Sequence, residues 1–180
     1  MSDGLIPRRY AKALYKLALE NGDAKEIYEQ LKRINFRYTA IDELKRVVMN
    51  PYVPDEDKGR VLLQATGAAP GSSLDRFILM VIRNNRAEFL GKIGLAYVYL
   101  YRQENNIAKV EITTATQLPE KQLQQIVGIV KRKLGDMTLE ISHEIDETLI
   151  GGFTVKIDDV LLDASVKNEL KQLRLQLVKK

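Results

Sequence analysis

The sequence has no cysteine, a single histidine and no long apolar run, and each absence excludes a class of protein. Without cysteine there is no disulfide framework and no thiol nucleophile, so a cytoplasmic chain is the simplest expectation. The longest apolar runs, Phe77 to Ile82 and Leu95 to Tyr101, are much shorter than the roughly 18 residues of a membrane span. The first residues also lack the pattern of an export signal. We therefore expect no direct membrane insertion.

Reactive side chains are too sparse to predict a catalytic or metal site. His143 alternates with apolar residues on a predicted strand, where a packed, hydrogen-bonded imidazole is expected rather than a base. A lone histidine without cysteine also disfavours a metal site. The pair Gly151-Gly152 is not followed by the Lys-Ser or Lys-Thr of a phosphate-binding loop, so we expect it to form a bend. The sequence predicts no catalytic residue, no metal and no cofactor.

The net charge of +4 lies entirely in residues 1–104. Nucleic-acid binders usually concentrate Lys and Arg on one face, whereas here these residues are mixed with Asp and Glu on predicted helices. This distribution favours a solvated helical exterior and no nucleic-acid partner. A small basic RNA-binding or ribosome-associated protein stays open as the alternative, although Phe153 is the only aromatic residue on the predicted strands.

Hydrophobic periodicity changes near Glu104. Before it the spacing is helical, with breaks at Asn21-Gly22, at Asn50-Pro51 and from Gly67 to Ser73. From Ile107 onward apolar and polar residues alternate as in strands, interrupted by one helical stretch. The predicted fold class is α+β. It consists of an N-terminal bundle of five or six helices over residues 1–104 and a small mixed β-α-β-β-α domain over residues 107–180.

The end of the chain contains the most detailed local signals. Asp158-Asp159 separates two apolar runs, which predicts a two-residue hairpin turn. The final helix is expected to begin at Asp163 or Ser165, since either side chain can cap its first turn. Its apolar positions Val166, Leu170, Leu173 and Leu177 have helical spacing, and we expect this row to pack mostly on the sheet, while an exposed remainder could meet an elongated helical partner.

Two predicted helices have more apolar residues than a single buried face needs. The first helix has one apolar stripe through Tyr10 and Leu14 and a second through Ala11 and Ala18. The helix that begins at Leu74 is apolar nearly all round. Such helices are either buried on two sides within their own bundle, or they form a groove for an amphipathic helix of another protein. Periodicity does not distinguish these two cases.

Two motifs, one near each end of the chain, resemble the signature of a known family. The first is Arg9 to Ala18, which is similar to an Arg-Tyr-Ala-x-Ala-Leu opening. The second consists of Leu149, Ile150, Gly151, Gly152, Asp163, Ser165, Leu170 and Leu173. Together they resemble the delta subunit of bacterial F-type ATP synthases, the family of the mitochondrial oligomycin-sensitivity-conferring protein.

The resemblance implies a non-catalytic stator component that links the catalytic head to the peripheral stalk during proton-driven ATP synthesis. The N-terminal domain would bind the N-terminal helix of an alpha subunit, and the C-terminal domain would bind the b subunits of the stalk. The expected location is the cytoplasmic face of the bacterial plasma membrane, as a peripheral part of the complex. The resemblance implies the following candidates for the alpha-subunit groove: Tyr10, Ala11, Leu14, Tyr15, Ala18, Leu74, Phe77, Ile78 and Val81.

Overall fold

The computed structural model describes residues 4–40 and 42–178, and the chain divides into two compact units between Glu104 and Asn105. Within the described residues, the first unit consists of six α-helices and a short 3-10 helix, and the second has four strands and two helices. The predicted α+β fold class is therefore confirmed. In this described part of the chain, no helix is both long enough and apolar enough to cross a membrane.

Local capping signals set the helix boundaries of the first unit. Its helices are α1 (Leu5–Asn21), α2 (Ala24–Ala40), α3 (Asp42–Met49), α4 (Asp55–Thr66), α5 (Ser73–Arg83) and α6 (Leu90–Glu104), with the 3-10 helix at Ala87–Phe89. Gly22 ends α1 in the left-handed conformation, at a φ of 73°, which glycine adopts without steric cost. Ser72 caps α5, because its hydroxyl accepts a hydrogen bond from the Asp75 amide at 3.3 Å.

Aromatic side chains of α6 form the centre of the first unit, where α6 packs against both α1 and α2. Tyr97 is fully buried, and its hydroxyl donates to the Ala24 carbonyl at 3.1 Å. Tyr28 of α2 stacks on Tyr101 of α6, with ring centroids 4.3 Å apart. These contacts fix α6 as the shared neighbour of the first two helices.

The second unit is a four-stranded sheet with the strand order β2-β1-β3-β4. Its elements are β1 (Ile107–Thr114), α7 (Glu120–Leu134), β2 (Thr138–Ile145), β3 (Gly152–Ile157), β4 (Val160–Ser165) and α8 (Val166–Val178). β1 and β2 are parallel, and the other two pairs are antiparallel. The order is β-α-β-β-β-α, one strand more than the sequence predicted. The additional strand is β4, which the hairpin turn predicted at Asp158-Asp159 implies but the predicted element order omits.

The predicted hairpin turn at Asp158-Asp159 joins β3 to β4. Asp158 has a φ of 49°, a conformation that is unfavourable for most L-residues but less so for aspartate. Its amide donates to the Lys109 carbonyl at 3.0 Å, so the turn is also attached to β1.

One face of the sheet is covered by α7. Alternate residues of β1 are buried, and Val110, Ile112 and Val155 pack against Ile126 and Val130 of α7. This alternation is the period-two pattern of a strand with one buried face.

His143 lies on the α7 side of the edge strand β2. Its Nε2 is 2.8 Å from the Thr114 hydroxyl oxygen, and that hydroxyl donates to the Thr116 carbonyl. Nε2 is therefore the donor in the first of these bonds. The hydrogen bond expected for His143 is therefore present.

Candidate partner-binding surfaces

Helix α1 lies between α5 and α6, and each of its two apolar stripes contacts a different helix. On one side the Tyr10 ring meets Phe77 of α5 edge-on, at a centroid distance of 6.2 Å. On the other side Tyr15 meets Tyr97 and Tyr101 of α6, at 5.9 and 6.3 Å. The second stripe is therefore explained by a neighbour within the same bundle.

Most of the predicted groove residues belong to the core of the first unit. The buried ones are Ala11, Leu14, Ala18, Leu74, Phe77, Ile78 and Val81. Tyr15 is half-buried, but it faces α6 rather than α5. Tyr10 is the predicted residue that lies at an open surface between α1 and α5. The buried side chains hold the two helices together and do not offer a contact surface of their own.

An open cleft of about 370 Å³ does lie between α1 and α5. It is lined by Ile6, Arg9, Tyr10, Ala13, Met80 and Arg86. The two helices run antiparallel here, since Asn21 at the end of α1 bonds Ser73 at the start of α5 at 2.9 Å. At the opposite end of the two helices, the side-chain Nδ2 of Asn84 lies 3.5 Å from the Tyr10 hydroxyl. The cleft therefore lies between two antiparallel helices that could hold a third helix.

Sequence reasoning did not assign Ile6, Ala13 and Met80 to the cleft. On α1, Ile6, Tyr10, Ala13 and Leu17 are spaced by four, three and four residues, which is the spacing of one helix face. That row is only partly buried, whereas the neighbouring row is buried completely. The sequence contained the row but no signal of which apolar row is left open.

The cleft has a positive rim. Arg9 and Arg86 line it, no carboxylate does so among the described residues, and the Arg86 guanidinium lies 5.8 Å from the centre of the Tyr10 ring. An apolar floor with arginines at its edge favours an amphipathic segment that carries acidic residues.

In the first unit, the Tyr97 side chain has a shifted pKa, and its role is structural. Burial and the nearby charge of Asp23 raise the pKa of the Tyr97 hydroxyl, which keeps it neutral as the donor to Ala24. A neutral phenol deep in the core cannot serve as a base for an external substrate.

In the second unit the glycine pair permits a close backbone approach. Gly152 has a φ of 78°, and a β carbon built on it would lie 2.3 Å from the Ala164 carbonyl oxygen. One built on Gly151 would lie 3.1 Å from a methyl carbon of Val166, the first residue of α8. The Val166 amide donates to the Gly151 carbonyl at 3.0 Å. The expected bend is thus the point where β3 meets the junction of β4 and α8.

Ser165 is the cap of α8, one of the two residues predicted for this role. Its hydroxyl accepts from the Asn168 amide at 3.2 Å. Asp163 holds Ser165 in place, because the Asp163 Oδ1 accepts a hydrogen bond from the Ser165 amide at 2.9 Å. Hydrogen bonds from the Ser165 side chain and amide lower the pKa of Asp163.

Comparison with known families decides between the leading interpretation and its alternative. The model of the ATP synthase delta (OSCP) subunit family matches residues 6–177, nearly the whole chain. The chain belongs to this family.

Curated relatives of this delta subunit family extend over the same length. The chain is 35% identical to the ATP synthase subunit delta of Phocaeicola vulgatus over 178 residues, which cover 98% of this chain and 96% of the relative. It is 31% identical to that of Fusobacterium nucleatum, with 94% and 96% covered. A chain of the Toxoplasma gondii mitochondrial ATP synthase hexamer has the same fold, with a TM-score of 0.71, 21% identity, and 96% and 97% covered.

The RNA-binding alternative also lacks its aromatic platform. Phe153 pairs with Thr114 across the strands and lies on the sheet face that α7 covers. On the opposite face the described side chains of β1 and β3 include Lys109, Glu111 and Lys156, which form an ion-pair cluster. Stacking of exposed bases requires aromatic rings on the open face, and none of these three residues has one.

The second half of the family signature is largely exposed in this member of the delta subunit family. Ile150, Leu170 and Leu173 are exposed by 72%, 54% and 55%. The expectation that the leucine row of α8 packs mainly on the sheet is therefore wrong for these residues. Helical leucine spacing is the same for a core and for a partner surface, so the sequence could not separate the two. Leu149, by contrast, is half-buried beside the glycine pair.

Proposed function

We propose that the chain is a stator connector of an F-type ATP synthase, which links the catalytic head to the peripheral stalk and has no catalytic activity. The observation that carries the proposal is the presence of a separate exposed apolar surface on each unit. One is the cleft between α1 and α5, and the other is the leucine row of α8. A connector needs two such surfaces, because each end must remain bound while torque acts between them.

In this proposal the cleft between α1 and α5 binds the N-terminal helix of an alpha subunit. Two antiparallel walls, an apolar floor of Tyr10, Ala13 and Met80, and the two arginines support an amphipathic helix with acidic residues as the occupant. The positive charge of the first unit would increase the rate of association with such a partner at low ionic strength.

A peptide of the alpha subunit's N-terminus should bind the full-length chain, and Ala13→Glu should weaken the binding at least about tenfold, or roughly 1.4 kcal/mol. The substitution places a carboxylate on the apolar floor, where the bound helix would remove it from water. Isothermal titration calorimetry measures the affinity. Ala69→Glu is the matched control, since Ala69 is exposed, lies outside the cleft and gives the same charge change. Absence of binding to the unmodified chain, or equal losses in both variants, would reject the assignment.

The other end of the connector would be α8, which we assign to the b subunits of the peripheral stalk. Val166, Leu170 and Leu173 are spaced by four and three residues, and the row suits helix-to-helix packing along a seam. Lys167 and Arg174 are exposed on the same helix. The partner helix should therefore present apolar residues bordered by carboxylates.

Leu173→Asp should reduce binding of the soluble part of the b subunit at least about tenfold, because it places a charge in the apolar seam. Leu175→Asp is the control. Leu175 is also about half-exposed on α8, but two residues further along a helix it points to a different side. Surface plasmon resonance with both variants tests the assignment. Comparable affinities for the two variants would move the stalk site away from the leucine row.

The proposal places the chain at the cytoplasmic face of the bacterial plasma membrane as a peripheral part of the complex. It requires no cofactor, metal or nucleophile, because the work is mechanical. Rotation of the central shaft exerts torque on the head, and a connector held at both ends prevents the head from rotating with it.

A further inference from the structure

β2 is an edge strand of the sheet. Among the described residues the strand it pairs with is β1, in parallel over all eight of its residues. The Thr138 amide donates to the Asn106 carbonyl and the Asp146 amide to the Thr114 carbonyl, both at 2.9 Å. Since backbone groups alternate in direction along a strand, the even-numbered residues face β1. The amides and carbonyls of Leu139, Ile141, His143 and Ile145 therefore point away from the sheet.

The two faces of this edge differ in chemistry. On the face covered by α7, the helix does not reach the edge fully, so that Ile141 and Ile145 are exposed by 42% and 51%. On the opposite face Ser142 and Glu144 are exposed, and Glu140 is half-buried. An added strand would therefore meet apolar side chains on one face and carboxylates on the other.

The other edge of the sheet is different, because α8 follows β4 directly and bonds to it. The Asn168 side chain donates to the Asp163 carbonyl at 3.2 Å, and the Asp163 carboxylate folds back onto the Ser165 amide. Long exposed edge strands without such protection are where proteins add strands from other chains.

A second copy of this chain is a poor occupant for the β2 edge. Pairing two β2 strands would bring the acidic faces of both copies together, and Glu144, which stands opposite Thr113 of β1, would find no Lys or Arg on either β2. Like charges on neighbouring strands are destabilising. A strand with basic residues on that face has the complementary charge.

We propose that the β2 edge binds an extended segment of a partner protein in which apolar residues alternate with Lys or Arg. The segment pairs antiparallel with Leu139, Ile141, His143 and Ile145, the orientation with the more stable ladder. Its apolar residues extend the core beside α7, and its basic residues lie next to Glu144. This site is separate from the proposed alpha-subunit cleft and from α8, so it does not depend on the proposed function.

The test uses the full-length chain and a blocked eight-residue peptide that alternates Val and Lys, with amide hydrogen exchange followed by NMR. At saturating peptide, the amides of Leu139, Ile141, His143 and Ile145 should exchange at least about tenfold more slowly, because they gain hydrogen bonds. The amides of Ser142 and Glu144 bond β1 already and should change little.

Two further peptides make the test specific. A peptide that alternates Val and Glu should protect the same amides less in the unmodified chain, and Glu144→Lys should reverse the order of the two peptides. A peptide with the same Val and Lys content in two blocks should give no protection. The proposal is overturned if no peptide protects these amides, if all three protect them equally, or if they become protected with rising protein concentration alone, which would indicate a second copy.

Discussion

Gly152→Ala is expected to destabilise the second unit strongly. The new β carbon would lie 2.3 Å from the Ala164 carbonyl oxygen and 3.0 Å from the Ser165 α carbon, and both neighbours are backbone. The φ of 78° adds about 1–2 kcal/mol for a residue with a β carbon. Overpacking typically costs a further ~1–3 kcal/mol. A loss of about 3 kcal/mol or more is large against the roughly 5–15 kcal/mol that stabilises a domain.

Gly128→Ala is the matched control for this substitution. Gly128 lies inside α7, and a β carbon there would have no neighbour within 4 Å. Alanine should stabilise that helix by up to about 1 kcal/mol. Native-state hydrogen exchange at Val110 and Val155, which are buried in the core of the second unit, reports the free energy of opening for each variant.

The same experiment distinguishes a steric clash at Gly152 from the general effect of replacing a flexible glycine by alanine. If Gly152→Ala changes the opening free energy no more than Gly128→Ala does, the close approach to Ala164 is not a constraint of the fold. Where the variant does stay folded, the β4 to α8 junction must shift, because Gly152 pairs with Ser165 and Ser165 caps α8. Under the proposed function, binding of the b subunit would then weaken even without unfolding.

The strands of the second unit were predictable because their signals are local. Alternation in β1 and β2, the acidic turn and the glycine pair each act over a few residues, and the strand bounds agree closely with the pattern. The exposure of Leu170 and Leu173 was not predictable. It depends on the direction in which α8 leaves the sheet after the close approach of Gly152 to Ala164 and Ser165, and the spacing of the leucines does not encode that direction.

In the first unit, the sequence could not distinguish a contact within the bundle from a contact with a partner. Ala11, Tyr15 and Ala18 could have faced a foreign helix or a neighbour in the bundle, and only the position of α6 decides between them. Tyr97 and Tyr101 meet Tyr15 from more than 80 residues away in sequence, and no local pattern encodes that distance. The family resemblance identified α1 and α5 as the pair of helices of interest. It did not identify the open row, which is the one through Ala13.

Comparing Leu14→Ala with Leu17→Ala should distinguish the buried row of α1, which stabilises the fold, from its open row, which lines the cleft. Leu14 is fully buried, so its truncation removes packed methyl groups and leaves a cavity, at a cost of about 2–5 kcal/mol. Leu17→Ala, one turn away on a side chain that is 37% exposed, is the control and should cost well under half as much. Urea denaturation followed by circular dichroism gives both values.

Under the proposed function, binding of the alpha-subunit peptide should follow the opposite order. Leu14 contributes to folding but not to the lining of the cleft, so the folded fraction of Leu14→Ala should bind with nearly unchanged affinity. Leu17 continues the row of Tyr10 and Ala13, and its truncation should weaken binding with little effect on stability. These opposite effects on stability and affinity are expected only if the residues that stabilise the fold and those that bind the peptide lie on adjacent rows of one helix. If both substitutions lowered stability and affinity in proportion, the two rows would be one surface, and Leu14 would belong to the cleft after all.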